Sequence, residues 1–253
     1  RNYSISCAPN DRAYRITVKR EERPGEPAGI VSNWLHAEAK PGTALRLAPP
    51  AGDFFLDRST KTPVVLVSGG VGLTPMLSML ETLVETGADR PVWYVHGSIS
   101  GRFHAMREHV RGLAARAPNI EVRTFYAVPE DGDRQGIDYD ADGLITADWL
   151  ARETPLTEAT YYLCGPKPFL ASLVHGLARH GVPAERAAEP TQMYAVAFGY
   201  VVPSGMGAVA LMTLFVVVSQ LKINLTNAYA GSIAWSNFFS RLTHSHPGRV
   251  VWL

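Results

Sequence analysis

Residues 63–75 read PVVLVSGGVGLTP, and this stretch decides the fold class. Val64, Val65, Leu66 and Val67 form an unbroken apolar run rich in β-branched residues, as expected of a strand buried on both faces. Ser68-Gly69-Gly70-Val71-Gly72-Leu73-Thr74-Pro75 then leads into the helical pattern TPMLSMLETLVETG. Glycines let the backbone turn tightly and approach a ligand, and the helix start offers unpaired N–H groups at the positive end of its dipole. Placed after the first buried strand of an α/β unit, such a turn suits a pyrophosphate, although many α/β folds use one only for packing. It is not a Walker loop, because no Lys-Ser/Thr follows the glycines.

Working outward from this turn, the α/β rhythm continues. Strand VWYVH, helix FHAMREHVRGLAARA and strand IEVRTFY lead to an acidic, Gly-rich loop over 129–143; helix TADWLAR, strand TYYLC and helix KPFLASLVHGLARHG follow. Strands alternating with helices predict a parallel sheet covered on both faces. TYYLC ends in Cys164-Gly165-Pro166, at the strand end where α/β ligands sit; read alone, Cys164 is equally a small buried hydrophobe. Upstream the style is antiparallel. YRITVKR (14–20) alternates Tyr14, Ile16 and Val18 inward with Arg15, Thr17 and Lys19 outward, a half-buried strand. VSNWLHAEA reads as a short helix and TALRLAP as a strand. Arg1-Asn2-Tyr3-Ser4 groups a guanidinium, a ring and a hydroxyl, suited to a phosphate, a planar ring and a ring nitrogen. Gly29-Ile30-Val31-Ser32-Asn33 opens a helix and reads either as an ordinary N-cap or as amides for a second phosphate.

The 253 residues average 46% apolar and 19% charged, with Lys+Arg 24 against Asp+Glu 23. That balance lacks the basic excess of a nucleic-acid binder. Two cysteines exclude a disulfide framework, a four-cysteine zinc site and a four-cysteine iron–sulfur cluster, and fit a reducing, cytoplasmic setting for residues 1–189. The chain opens on Arg1 with no initiator Met or signal pattern, as a fragment would. The averages conceal a break near residue 190. Beyond it the charged residues are Lys222, Arg241 and Arg249, a net of +3; removing them from the totals leaves 21 cations against 23 acids, a net of −2, in residues 1–189. The uncharged run from Thr191 to Leu221 contains GAVALMTLFVVVSQL, and Met193–Leu221 exceeds the roughly 20 residues of a bilayer span. A membrane segment of one or two helices is expected there, with a buried core helix as the alternative.

In order, RNYS, GIVSNWL, PAGDFF, VSGGVGLTPMLSML, HG and YYLCGP resemble the ferredoxin–NADP reductase superfamily, in particular the reductase half of flavohaemoglobins (nitric oxide dioxygenases) and related oxygenase reductases. The resemblance implies a truncated antiparallel flavin-binding β-barrel over 1–60, a Rossmann-like NAD(P)H-binding α/β domain over 61–189, and hydride transfer from NAD(P)H to FAD. Electrons then pass to a haem (globin) or iron–sulfur partner outside this chain. It implies that Arg1, Tyr3 and Ser4 contact the flavin and that Val31, Ser32 and Asn33 hold the FAD pyrophosphate. Gly69, Gly70, Gly72, Thr74 and Pro75 would form the NAD(P)H loop, His96 and Gly97 a strand-end turn near the adenosine side, and Cys164, Gly165 and Pro166 the turn beside the nicotinamide. Tyr3, Ser4 and Cys164 are the expected catalytic residues. The pattern departs from the family in three places. Barrel strands expected before RNYS are missing, Glu189 is followed by Pro190-Thr191-Gln192 instead of a closing aromatic, and no acceptor is encoded. NADH and NADPH stay open, Arg102 being a candidate for a ribose phosphate or a solvated side chain.

The tail, with NAYAGS and WSNFFSRLTHSHPGR, resembles the nucleobase–cation symporter family of cytosine, purine and allantoin permeases over 190–253. That resemblance implies ion or substrate contacts at Ser219, Asn224, Thr226 and Asn227, which read equally as interhelical packing. One or two spans form no pathway, so no transport is expected. The leading reading is a flavin reductase module joined to a transporter fragment. The alternatives are a permease fragment with an extra N-terminal portion and a membrane-anchored reductase.

Overall fold

The structure is a computed structural model, described here for residues 2–190 apart from 23, 24, 26 and 53. These residues belong to one compact unit. Six parallel strands make its sheet: β1 (Val64–Gly69), β2 (Val92–Ser98), β3 (Ile120–Tyr126), β4 (Ala141–Asp142), β5 (Thr160–Cys164) and β6 (Ala187–Ala188), in the order β4-β3-β2-β1-β5-β6. Helices α2 (Leu73–Glu85), α3 (Arg107–Ala114), α4 (Ala147–Glu153) and α5 (Lys167–Arg179) cover it, while α1 (Ile30–Ala37) stands in the N-terminal segment.

The apolar run of β1 is buried on both sides. Val64 and Leu66 pack with Met76, Leu77 and Leu80 of α2 and with Val110 and Leu113 of α3. Val65 and Val67 face the other way, into Leu150 of α4 and Leu173 and Leu177 of α5. Each such side chain stabilises the fold by about 1.5–3 kcal/mol, which is why β1 is the spine of the sheet. The strand order reverses at β1, whose neighbours are β2 on one side and β5 on the other. That reversal opens a crevice at the carboxyl ends of β1 and β5.

Several expectations are corrected. Helix α3 starts at Arg107, not near Phe103, because residues 101–103 make a 3-10 turn and Met106 takes a left-handed φ of 62°. The two-residue strands β4 and β6 extend the sheet at its edges, too short to leave a pattern in the sequence. In the N-terminal segment the described residues hold an isolated antiparallel bridge, Ile5 to Ile16, in place of a strand ladder. Residues 43–49 are exposed and irregular. The inward and outward sides are also exchanged over 14–17, where Tyr14 is 60% exposed while Arg15 turns in toward Ser6 and Glu81 and Thr17 bonds Ser6, whereas Val18 is half-buried and Lys19 exposed as expected. A buried acid overrides the alternation, because a paired guanidinium satisfies it and an aromatic ring does not.

The linker before β1 is fixed from the far end of the sheet. Arg90 donates to the carbonyls of Thr60 (3.0 Å) and Asp57 (2.9 Å), and the Asp57 amide donates to the Tyr162 hydroxyl (2.9 Å). Among the described residues no helix is long and apolar enough to cross a membrane. The expected segment 193–221, with Ser219, Asn224, Thr226 and Asn227, lies outside the described residues, as does Arg1.

Candidate functional site

Two sequence candidates, His96 and Cys164, stand in one row with Ser68 across the carboxyl end of the sheet. Ser68 of β1 registers with His96 of β2 and with Cys164 of β5, and the glycine turn begins one residue further on. Two glycines there do different work. Gly70 has φ +55° with open space where a Cβ would stand, so its need is conformational. Gly72 is a matter of room: a Cβ would run into the Cys164 carbonyl, so the turns after β1 and β5 touch backbone to backbone. Phe169 of α5 closes the floor, 3.4 Å from a Cβ position at Gly69 and 2.7 Å from one at Gly165. Thr74 Oγ1 donates to the Val71 carbonyl (3.2 Å), tying the turn to the first turn of α2, and Pro75 is buried in that helix start. No side chain caps α2 at Gly72, while Gly70 and Val71 are exposed.

Desolvation governs the chemistry of Cys164 and His96. Burial, with the nearby Glu189 charge second, pushes the Cys164 thiol up to about 11. The group is therefore a neutral thiol at pH 7, fit for packing or weak donation and not for nucleophilic attack. His96 is sealed at 1% exposure, with Nδ1 2.9 Å from Ser68 Oγ, so its side chain does not face an open crevice. Its ring lies 5.0 Å from that of His104, whose Nδ1 pairs with the Tyr126 hydroxyl (3.0 Å). Burial first, and neighbouring basic groups second, pull His96 down to about 3 and His104 to about 4. Gly97 is beside Ile145. Arg102 lies over the ring of Phe103, 5.7 Å from its centroid.

The flavin-side candidates form a second group. Tyr3 is partly buried and its hydroxyl has no hydrogen-bond partner, while Ser4 is exposed beside it. Helix α1 starts at Gly29, where a Cβ would press on Glu21 Cβ and Ser32 Oγ at 2.7 Å, and no side chain caps the helix. Ser32 and Asn33 are engaged locally. Ser32 Oγ accepts from the Glu21 amide and donates to Gly29 O; Asn33 Nδ2 donates to Gly29 O and Glu21 O. Their side chains therefore hold the helix start in place, leaving Val31 exposed and the first-turn amides as the groups available to an anion.

The donor sets fit both cofactors. An uncapped helix start with an open Gly70 suits the diphosphate of NAD(P)H, and the orphaned Tyr3 hydroxyl and the uncapped start of α1 suit the polar ring system and the phosphates of FAD. Among the described residues no group of three His, Cys, Asp or Glu side chains is placed to hold a metal. Sequence reasoning missed Ser68, Phe169 and Glu81. Ser68 precedes the glycines directly, and Glu81 is a lone acid on an apolar helix face, a signal that was there to read.

Comparison with known proteins agrees with this geometry. A family model described as "Oxidoreductase NAD-binding domain" matches residues 66–175. The flavohemoprotein of Xylella fastidiosa (strain 9a5c) is 50% identical over 185 residues, 73% of this chain and 44% of that protein. That of Bordetella pertussis is 45% identical over 187 residues, 74% of this chain and 46% of that one. The chain thus spans less than half the length of the curated relatives it matches. The solved flavohem-like FAD/NAD-binding domain of nitric oxide dioxygenase from Vibrio cholerae is 34% identical, with a TM-score of 0.67 and 75% of each chain covered. The cytochrome b5 reductase domain of Ulva prolifera nitrate reductase, 21% identical at a TM-score of 0.61, covers 75% of this chain and 76% of its own and shares the fold. A domain that matches three quarters of a solved relative at this identity is a family member, and the chain belongs to the ferredoxin-reductase-like family of FAD- and NAD(P)H-dependent reductase domains found in flavohaemoproteins.

Proposed function

We propose that this chain takes a hydride from NAD(P)H onto FAD and delivers electrons singly to a haem in a globin domain, as in nitric oxide dioxygenase, or to an iron–sulfur acceptor. The observation that carries the reading is the contact between the Gly72 turn and the Cys164 turn at the strand-order reversal. Around that contact Gly70 and Val71 are exposed, and the half-buried Cys164 carries a neutral thiol. FAD supplies two-electron acceptance and one-electron release, and the protein supplies placement. The helix start at Gly72 would hold the dinucleotide phosphates, and Cys164-Gly165-Pro166 would lie along the nicotinamide. On the flavin side, the Tyr3 ring would pack on the flavin, Ser4 would offer a hydroxyl to a ring nitrogen, and the α1 start at Val31, Ser32 and Asn33 would take the FAD phosphates through the Val31 and Ser32 amides, the Asn33 amide being bonded to the Gly29 carbonyl. Arg1 and the division at residue 60 belong to the same reading.

Anaerobic titration tests it: the purified chain incubated with FAD is expected to lose its flavin absorbance on addition of NADH or NADPH. A chain that neither retains FAD nor reduces it with either nucleotide overturns the proposal. The uncharged run Thr191–Leu221 favours a second reading, a membrane anchor beside the acceptor. Recovery of the expressed chain entirely without detergent removes it.

A further inference from the structure

Glu81 lies on α2 with its side chain 7% exposed, an acid inside an apolar interface. Donors reach it from three places. The Ala8 amide donates to Oε2 at 2.8 Å, the Arg15 guanidinium to Oε1 at 2.6 Å, and His109 of α3 lies 2.5 Å from Oε1. Burial works to raise this carboxyl, but the Arg15, Ala8 and His109 bonds together outweigh it and hold it below the usual glutamate range. Arg15 is in turn bound to Ser6, through its guanidinium to Ser6 O and through its own carbonyl, which accepts from the Ser6 amide at 2.8 Å. Among the described residues, the hydrogen bonds that tie this N-terminal loop to the α/β unit converge on one carboxylate.

Its position matters for the two half-sites. Helix α2 starts at the glycine turn, and Glu81 lies eight residues along it, about 12 Å of rigid rise. On the other side, Ala8 follows Tyr3 by five residues, a tether of about 18 Å at most. A buried, charge-assisted bond at the meeting point restricts how far the flavin-side residues move from the nucleotide turn. Resting on the hydride-transfer reading above, we propose that Glu81 is a positioning residue, which holds the Tyr3–Ser4 segment in register with the Gly69–Gly72 turn through Ala8 and Arg15.

Two variants test this. Glu81→Gln keeps the shape and removes the charge; Arg15→Ala removes the partner from the half-exposed side and leaves the α/β core untouched. Hydrogen exchange at the Ala8 amide is expected to speed up about tenfold or more in both, with β1 amides unchanged, as loss of a charge-assisted bond requires. FAD reduction at saturating NADH is expected to slow about tenfold while NADH affinity, measured by calorimetry, moves less than about twofold, since a positioning defect falls on the transfer step. Unchanged Ala8 exchange in both variants overturns the proposal, as does a loosened Ala8 with full transfer rate, or NADH affinity falling in step with rate. A parent chain that binds FAD and NADH but transfers nothing overturns the functional reading instead.

Discussion

At the residue scale, Gly70 and Gly72 separate two reasons for keeping a glycine. The first holds a positive φ in open space; the second lets two backbones touch. Gly72→Ala is expected to push the Cys164 turn away, costing about 1–3 kcal/mol, and to weaken NADH binding, checked by denaturant unfolding and calorimetry. Cys164 gives an independent prediction. With its thiol pushed up to about 11 from an ordinary value of 9.0, alkylation by iodoacetamide at pH 8 is expected to run about a hundredfold slower than for an ordinary thiol, read out by mass spectrometry of the modified peptide. Rapid modification would show a thiolate and overturn the neutral-thiol assignment. The sequence placed Cys164 at the strand end correctly, but its ionisation depends on burial and on Glu189, which is remote in sequence.

At the element scale, β1 and α2 were legible because their patterns are strong and local. A four-residue apolar run that is β-branched and closed by glycines reads as a doubly covered strand, and α2 follows it with apolar residues at helical spacing. Their junction predicts a large cost for cavity formation: Leu77→Ala, at a fully buried position between α2 and β1, is expected to lose about 2–5 kcal/mol in urea unfolding. Helix α4 is a smaller case. Thr146 caps it by accepting from the Trp149 amide at 3.2 Å, so Thr146→Ala is expected to lose about 1 kcal/mol. The N-terminal elements were less legible. Alternation in YRITVKR pointed Tyr14 inward, yet Arg15 takes that side because Glu81 waits there, a partner 66 residues away. Short-range pattern carries no information about such a partner.

At the scale of the whole molecule, two desolvated histidines, the buried His96 and the half-buried His104, set the response to acid. Both are depressed in the folded chain, His96 to about 3 and His104 to about 4, against 6.5 for an ordinary imidazole. Their sign follows from proton uptake: the unfolded chain binds protons below pH 6.5 that the folded chain refuses. Stability is therefore full above 6.5 and is lost as pH falls toward 4 and then 3, by about 1.4 kcal/mol per pH unit for each group. Urea unfolding between pH 7 and 4 checks this, and His104→Phe is expected to reduce the slope by one proton. Exposure predicts where the chain is cut. Arg46 lies in the exposed, irregular stretch 41–52, whereas the bond after Lys40 is shielded by Pro41, so brief trypsin treatment is expected to cleave first after Arg46 and to spare β1 to α5, as mass spectrometry of the fragments would show.

The sequence by itself determined the α/β core, the glycine turn and its place after the first buried strand, because hydrophobic period and glycine content act over a few residues. It also placed the charge break near 190. Tertiary structure alone decided what those residues do. It joined Gly72 to Cys164 across 92 positions, sealed His96 against Ser68, kept the Cys164 thiol neutral, and gathered Ala8, Arg15 and His109 on Glu81. Each of these is a contact between distant segments, fixed by how strands register and helices pack, and desolvation and charge pairing take their values only once those segments meet.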